Sequence, residues 1–250
     1  MIELPKGIKP AETINPTSMI IYSSPKVGKT AAVAKLGEKA LLVDIEEGSR
    51  EVEAQKVRIS NLEELKELIK AIKKQGNPYP IGVLDTLSKL EELALPYAKQ
   101  LYKETPMGKN FDPENKGIDV LSLPRGAGYY YLRLAVLRIM EGFSSAFDHV
   151  IYTAHLKDSS LERAGKEVNV QDISLTGLLR TIVPSRVSAI GYMYRKKNQT
   201  ILSFFTDGSA IAGARSAHIR NKEIVILESD ETGELISHGW DQVYLGLDDI

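Results

Sequence analysis

The sequence predicts an α/β fold in which a mostly parallel central sheet is flanked by helices, with antiparallel strands toward the C-terminus. Short, continuous apolar runs, typical of strands buried on both faces of a parallel sheet, alternate with helical patterns in the first 155 residues. These runs are 19–22, 40–45, 80–85 and 149–154. The alternation then stops, and the later runs are typical of strands, the last two antiparallel. Those runs are 187–194, 200–205 and 223–227.

The first strand is followed by a loop that matches the phosphate-binding pattern G-x-x-x-x-G-K-[ST], with Ser23 in place of the first glycine. Gly28 lets backbone N–H groups turn inward around a phosphate, and Lys29 reaches the β- and γ-phosphates. The Thr30 hydroxyl is a hard oxygen ligand for Mg²⁺. A lysine-rich surface turn would not need this spacing between a strand and a helix. We therefore predict ATP and Mg²⁺ binding by Ser23, Ser24, Pro25, Lys26, Val27, Gly28, Lys29, Thr30 and Ala31.

Ser23 departs from the pattern. A left-handed backbone angle there would cost serine on the order of 1 kcal/mol relative to glycine. We therefore expect a slightly remodelled turn at this residue.

The remaining elements follow from periodicity and capping. Ser60-Asn61 can cap a helix that ends at Gly76, and the helix over 88–103 contains Pro96, which predicts a kink or a split. Residues 104–127 and 156–171 are predicted to be polar loops, separated by an amphipathic helix over 129–147 and the strand over 149–154. A short helix is predicted around 174–182.

Domain organisation is predicted as an N-terminal arm (1–17), an ATPase core (18–230) and a C-terminal extension with a short acidic end (231–250). The 250 residues have a net charge of −1, so no global basic field indicates nucleic acid. The absence of cysteine excludes disulfides and thiolate metal sites. No apolar stretch approaches the ~20 residues that span a bilayer, and no signal peptide is visible. We expect a cytoplasmic protein without membrane contact.

Three polar residues at strand ends complete the predicted nucleotide site. Asp85 ends an apolar strand and is predicted to act on Mg²⁺ or to orient Thr30; the alternative is that it caps the next helix. Glu46 ends the neighbouring strand and is predicted to orient and deprotonate the attacking water. Glu47 is adjacent, and both glutamates could instead be solvated. His155 ends the strand over 149–154 and could contact the γ-phosphate, or be a merely exposed histidine.

The order of these motifs resembles the RecA-type recombinase ATPases. The matching pieces are the phosphate loop, Val43-Asp44-Ile45-Glu46, Val83-Leu84-Asp85-Thr86 and the segment from Tyr152 to Lys157. The resemblance implies that Glu46 is the catalytic base, Asp85 the Walker B residue and His155 a switch that starts a DNA-binding loop. It is nearest to phage-encoded ATPases of the Sak group, which implies single-strand annealing and recombination in a host cytoplasm. The helical lid of AAA+ ATPases is not evident.

The resemblance also implies partners. In such proteins polar loops hold single-stranded DNA along a homo-oligomer, a filament or a ring, and a single-strand-binding protein is a possible further partner. The candidate DNA-binding residues are Lys109, Arg125, Lys157, Arg163 and Lys166, although acidic residues are interleaved with them. Arg215, with Arg220 in reserve, is predicted to act on the γ-phosphate bound by a neighbouring subunit. The alternatives are a helicase-like, loader or packaging motor, a small-molecule kinase, and a nucleotide-gated assembly protein.

Overall fold

The computed structural model describes residues 7–8, 14–115, 117, 119–163, 166–206, 208 and 210–249. Its helices are α1 (Lys29–Ala34), α2 (Leu62–Lys74), α3 (Leu87–Lys103), α4 (Ala127–Ser144), α5 (Leu179–Arg186) and α6 (Trp240–Val243). Its strands are β1 (Ser18–Ser23), β2 (Ala40–Asp44), β3 (Lys56–Arg58), β4 (Ile81–Asp85), β5 (His149–Arg163), β6 (Lys166–Ile173), β7 (Ala189–Lys196), β8 (Gln199–Ser203), β9 (Gly213–Ala214), β10 (Glu223–Ser229) and β11 (Leu235–Ser237).

The described residues form an 11-stranded sheet whose main path is β11-β10-β8-β7-β1-β5-β4-β2-β3. From β7 to β3 all neighbours are parallel, whereas β8, β10 and β11 are added antiparallel. The mostly parallel sheet with antiparallel C-terminal strands is therefore confirmed. The strand that carries the phosphate loop, β1, is separated from β4 by β5.

The sheet is covered on both faces, because alternate residues of each central strand point to opposite sides. Ile20 and Tyr22 pack in a cluster with α2, α3, α4 and α5, whereas Met19 and Ile21 pack with α1 and α6. Gly82 in β4 allows Phe147 to lie against the strand, since a Cβ there would be 2.3 Å from its ring. Both faces are buried, which explains the continuous apolar runs in the sequence.

Two predicted elements differ from the structure. The region 156–171 is not a polar loop: β5 continues past the sheet to Arg163 and pairs antiparallel with β6, from Leu156↔Ile173 to Arg163↔Lys166. Charged and polar residues dominate this segment, so its hydropathy gave no strand signal. Pro96 does not split its helix, and α3 runs without a break through it.

The start of α2 agrees with the prediction, whereas α5 begins at Leu179 and not near 174. Asn61 is the N-cap of α2, and its side chain accepts a hydrogen bond from Glu64 N at 3.0 Å. Among described residues, no helix has the length and apolar character that crossing a membrane requires.

Candidate functional site

The phosphate loop joins β1 to α1 through two left-handed residues. Gly28 has a φ of 111° and Lys26 a φ of 63°, whereas Ser23 is the last residue of the extended strand. Ser23 therefore avoids the left-handed angle that would be costly for serine. Serine fits because its buried hydroxyl makes two contacts: it donates to Ser24 O at 2.7 Å and accepts from Lys29 Nζ at 3.0 Å.

The side chain of Lys29 folds back onto Ser23 at the start of this loop. Its ammonium group also donates to Ser23 O at 3.4 Å, and only 7% of the residue is exposed. Burial lowers the pKa of Lys29, while the charges of Asp85 and Glu46 oppose that shift. The cation therefore lies within electrostatic reach of both carboxylates that the sequence singled out.

Asp85 occupies the end of β4 and is 2% exposed. One carboxylate oxygen accepts from Thr30 Oγ1 at 2.8 Å and the other accepts from the Thr153 hydroxyl. Burial raises the pKa of Asp85, and these two hydrogen bonds work against the rise. The N-cap of α3 is Thr86, whose side chain makes no capping bond. Neither oxygen of Asp85 caps the helix, because both accept hydrogen bonds from the threonine hydroxyls at the crevice.

The Thr30–Asp85 pair is suited to a hard cation. A hydroxyl that gives its proton to a carboxylate keeps its lone pairs free for a metal. Within the described ranges no group of three or more His, Asp or Glu side chains could hold a metal ion. Mg²⁺ keeps several waters and uses one or two protein ligands together with substrate phosphates, so Thr30 and Asp85 are the residues that could hold it.

Asp44, at the end of β2, shapes the turn that carries Glu46. One of its oxygens accepts from the N–H groups of Glu46 and Gly48, at 3.1 and 3.2 Å, and the other accepts from Ser49 N and the Ser49 hydroxyl. Burial alone would raise the pKa of Asp44, but these hydrogen bonds lower it below its ordinary value. The turn is therefore held by a buried, ionised carboxylate.

Glu46 points across the strand ends to His155. His155 Nε2 lies 3.0 Å from Glu46 Oε1 and 3.3 Å from Oε2, and both side chains remain partly exposed. The His155 Nδ1 atom is buried without a hydrogen-bond partner among described residues. Glu47 turns away and pairs with Arg50 and Arg58. The two adjacent glutamates thus have different surroundings, and Glu46 alone of the two faces the crevice.

Strand order explains why these side chains meet. Parallel strands bring their carboxyl ends to one edge, where α/β sheets bind ligands. Ser23 is in register with His155, and Asp44 is in register with Asp85. The structure therefore brings together Lys29, Thr30, Asp85, Glu46 and His155 from four separate parts of the sequence. Their catalytic and binding roles remain predictions.

A groove lies beside the point where the β5–β6 hairpin leaves the sheet. It has a volume of about 920 Å³, and its walls come from α3, the start of α4 and the start of α5. Tyr129 and Leu178 are exposed there, next to the cations of Lys157 and Arg180. Glu91 also lines it and accepts two hydrogen bonds from Thr176, its N–H at 2.8 Å and its hydroxyl at 3.0 Å.

The predicted DNA-binding residues are dispersed. Lys157 lines the groove, whereas Lys109 and Arg125 are exposed in the segment before α4 and are not among its described lining residues. Arg163 and Lys166 pair at the end of the hairpin, and their side chains lie outside the described residues. Neither Arg180 nor Leu178 was among the DNA-binding residues predicted from the sequence.

Arg215 lies at the edge of the sheet opposite the phosphate loop. Its backbone N–H donates to Ser188 O at 2.9 Å, and Ser188 N donates to Ser18 O at the start of β1. Its guanidinium donates to Ser185 O at 3.1 Å. Six strand residues, about 17 Å of extended chain, separate this edge from Ser23.

Sequence reasoning missed three residues that support the site: Asp44, Thr153 and Trp240. Asp44 and Thr153 face the crevice only because neighbouring strands bring them there, and each looks like part of an apolar run in the sequence. The signal available in the sequence was that polar residues occupy alternate positions at the ends of these strands. Trp240 contacts α1 from more than 200 residues away, which no local pattern indicates.

A protein-family model described as "AAA domain" matches residues 15–224. That range holds the phosphate loop, all the strand-end residues described above, the hairpin and Arg215. A search of curated proteins returned no match.

Proposed function

Because the chain belongs to the AAA domain family and is an AAA-type P-loop ATPase, we propose that residues 23–31 bind ATP with Mg²⁺ and that Glu46 promotes its hydrolysis. The observation that carries this proposal is the convergence of Lys29, Asp85 and Glu46 on one edge of the sheet.

Each side chain has a role that its surroundings support. Lys29 gives up its contacts with Ser23 and binds the β- and γ-phosphates. Thr30 and Asp85 would hold Mg²⁺, which when bound would neutralise developing charge on the phosphates. Glu46 accepts a proton from the attacking water at its carboxylate, and the Asp44 turn fixes the direction in which that carboxylate points.

His155 joins this site to the hairpin. Its ring contacts Glu46 on one side, and its backbone carbonyl accepts from Ser174 N at 2.9 Å, just beyond the end of β6. A γ-phosphate that competes with Glu46 for the His155 ring would change this contact. We propose that His155 passes nucleotide state to the β5–β6 hairpin and to the groove at its root.

We further propose that the groove and hairpin bind single-stranded DNA. Binding that is tolerant of sequence needs cations for phosphates and flat side chains for bases. Tyr129 and Leu178 provide exposed apolar surface, and Lys157 and Arg180 provide the cations. The acidic groups on the same wall are engaged: Glu91 with Thr176, and Glu92 with Lys89.

The proposed assembly is a homo-oligomer in which Arg215 acts on a neighbouring subunit. At the edge opposite the phosphate loop, this cation lies far from the site of its own chain, which is what action in trans requires. Together with the resemblance to RecA-type recombinases, these features favour a role in phage-type recombination or single-strand annealing, with a single-strand-binding protein as a possible partner.

The test is the rate of ATP hydrolysis with and without single-stranded DNA, for wild type and for Lys29→Ala. We expect turnover in wild type, stimulation by DNA, and loss of both in the variant. Arg180→Ala should weaken DNA binding and reduce the slope of affinity against salt by about 0.7, one phosphate contact. Arg195→Ala, which removes an exposed cation from β7, is the matched control and should leave binding unchanged.

A second candidate is a helicase-like, loader or packaging motor without recombinase activity, which the same ATP site would serve. Ring assemblies that translocate along DNA would favour it, whereas open filaments or annealing favour the first proposal. If single-stranded DNA does not change the rate of ATP hydrolysis and does not bind at low salt, both DNA proposals are overturned. The proposed ATPase activity would then stand alone.

A further inference from the structure

Trp240, the single tryptophan of the chain, binds the helix that follows the phosphate loop. Its indole Nε1–H donates to Ala32 O at 2.9 Å, and the residue is 3% exposed. Ala32 lies two residues beyond Thr30 in α1. A side chain from the C-terminal end of the protein is therefore one hydrogen bond from the predicted ATP site.

This bond matters because α1 is only six residues long. So short a helix is not stable through its own backbone bonds, and its last carbonyl groups lack partners within the helix. The bond from Lys35 N to Ala32 O is long, at 3.2 Å. Trp240 supplies a shorter, buried donor to the same carbonyl. The position of α1 therefore depends on contacts with the rest of the fold.

The C-terminal segment is itself held firmly. Trp240 stacks on Tyr244 at a centroid distance of 6.4 Å, and both pack in the cluster that contains Ala32 and Val33. Asn15 makes two hydrogen bonds with the backbone of Leu245, at 3.0 and 2.8 Å. Trp240 therefore links α1 to a C-terminal segment that is itself held in place by packing and hydrogen bonds.

We propose that Trp240 is a positioning residue for nucleotide binding: its indole N–H fixes α1, and through α1 it fixes Lys29 and Thr30. The inference rests on the proposed ATP site. It assigns to the C-terminal residues, which the sequence suggested are a separate extension, a part in forming that site. Occupation of the loop should consequently change the surroundings of Trp240.

The first test uses the intrinsic fluorescence of the full-length protein, whose tryptophan emission comes from Trp240 alone. Titration with Mg·ADP should shift or quench this emission with saturation, and Lys29→Ala should abolish the change. A wild-type protein that binds Mg·ADP by calorimetry with unchanged emission would contradict the coupling. A wild type that shows no binding by calorimetry would overturn the ATP site and this inference together.

The second test removes the donor and keeps the ring. Trp240→Phe should weaken Mg·ADP binding about five-fold, the effect of one hydrogen bond. Tyr244→Phe is the matched control, because it keeps the aromatic stack and removes a hydroxyl that has no hydrogen-bond partner among described residues; its affinity should match wild type. If Trp240→Phe lowers the melting temperature but binds Mg·ADP as tightly as wild type, the role of Trp240 is structural alone. That result would overturn the proposal.

Discussion

Replacing Asp44 with asparagine tests the turn that carries Glu46. The carboxylate accepts four hydrogen bonds in a site that is 1% exposed. Asparagine keeps one acceptor oxygen, so whichever way the amide is oriented, one pair of donors faces an NH₂ group. One or two buried N–H groups are then left unsatisfied, at about 1–3 kcal/mol each. We expect Asp44→Asn to lower the free energy of unfolding by about 2–3 kcal/mol.

For a chain of this length that loss corresponds to a fall in melting temperature of about 5–10 °C at neutral pH. Because Glu46 N is one of the donors, the rate of ATP hydrolysis should also fall, by about ten- to a hundred-fold. Ser49→Ala is the control, since it removes one hydroxyl donor and keeps the other three bonds. It should cost about 1 kcal/mol.

The stability difference between wild type and Asp44→Asn should depend on pH. The folded pKa of Asp44 lies below its ordinary value of 3.8, so the ionised carboxylate stabilises the fold fully above that value. This contribution is lost as the pH falls from 3.8 toward the folded pKa, and the two proteins should converge there. Unfolding by urea at several pH values measures it. A melting temperature for Asp44→Asn within 1 °C of wild type at neutral pH would refute the reasoning.

Three further predictions concern buried contacts. Tyr244→Phe should raise the free energy of unfolding by about 1 kcal/mol in urea titrations, because it removes a buried hydroxyl without a partner among described residues; a loss of stability would be contrary to this. Thr153→Val removes a donor to Asp85 at nearly constant volume and should raise the Mg²⁺ concentration needed for half-maximal hydrolysis several-fold, with an unchanged requirement as the opposing result. Gly82→Ala should destabilise the fold by about 1–3 kcal/mol, since its Cβ would lie 2.3 Å from Phe147, and wild-type stability would disprove that contact.

The central strands and the phosphate loop could be predicted because local patterns determine them. Strands buried on both faces must be continuously apolar, and a loop that wraps a phosphate requires glycine and lysine at fixed spacing. The convergence of Asp85 and Glu46 followed from one further rule, that parallel strands end at a common edge. These predictions needed no knowledge of distant contacts.

The rest depended on contacts between distant parts of the chain. The β5–β6 hairpin is rich in charged and polar residues, so hydropathy gave no strand signal for it. Trp240 reaches Ala32 across the length of the sequence, and Arg180 lines the same groove as Lys157 only after the hairpin returns its chain to the sheet. Pro96 is accommodated within α3, where α3 packs against α4. In each case tertiary packing overrode a local signal.

The most direct measurement of the central claim is the rate of ATP hydrolysis by Glu46→Gln at saturating Mg·ATP, beside Glu47→Gln. Loss of the proposed base should lower the rate by about 10²- to 10⁴-fold and leave Mg·ADP affinity near that of wild type. The matched change at Glu47, which pairs with Arg50 and Arg58 instead, should leave the rate nearly unchanged. Hydrolysis by Glu46→Gln at the wild-type rate would contradict the assignment of the crevice as the hydrolytic site.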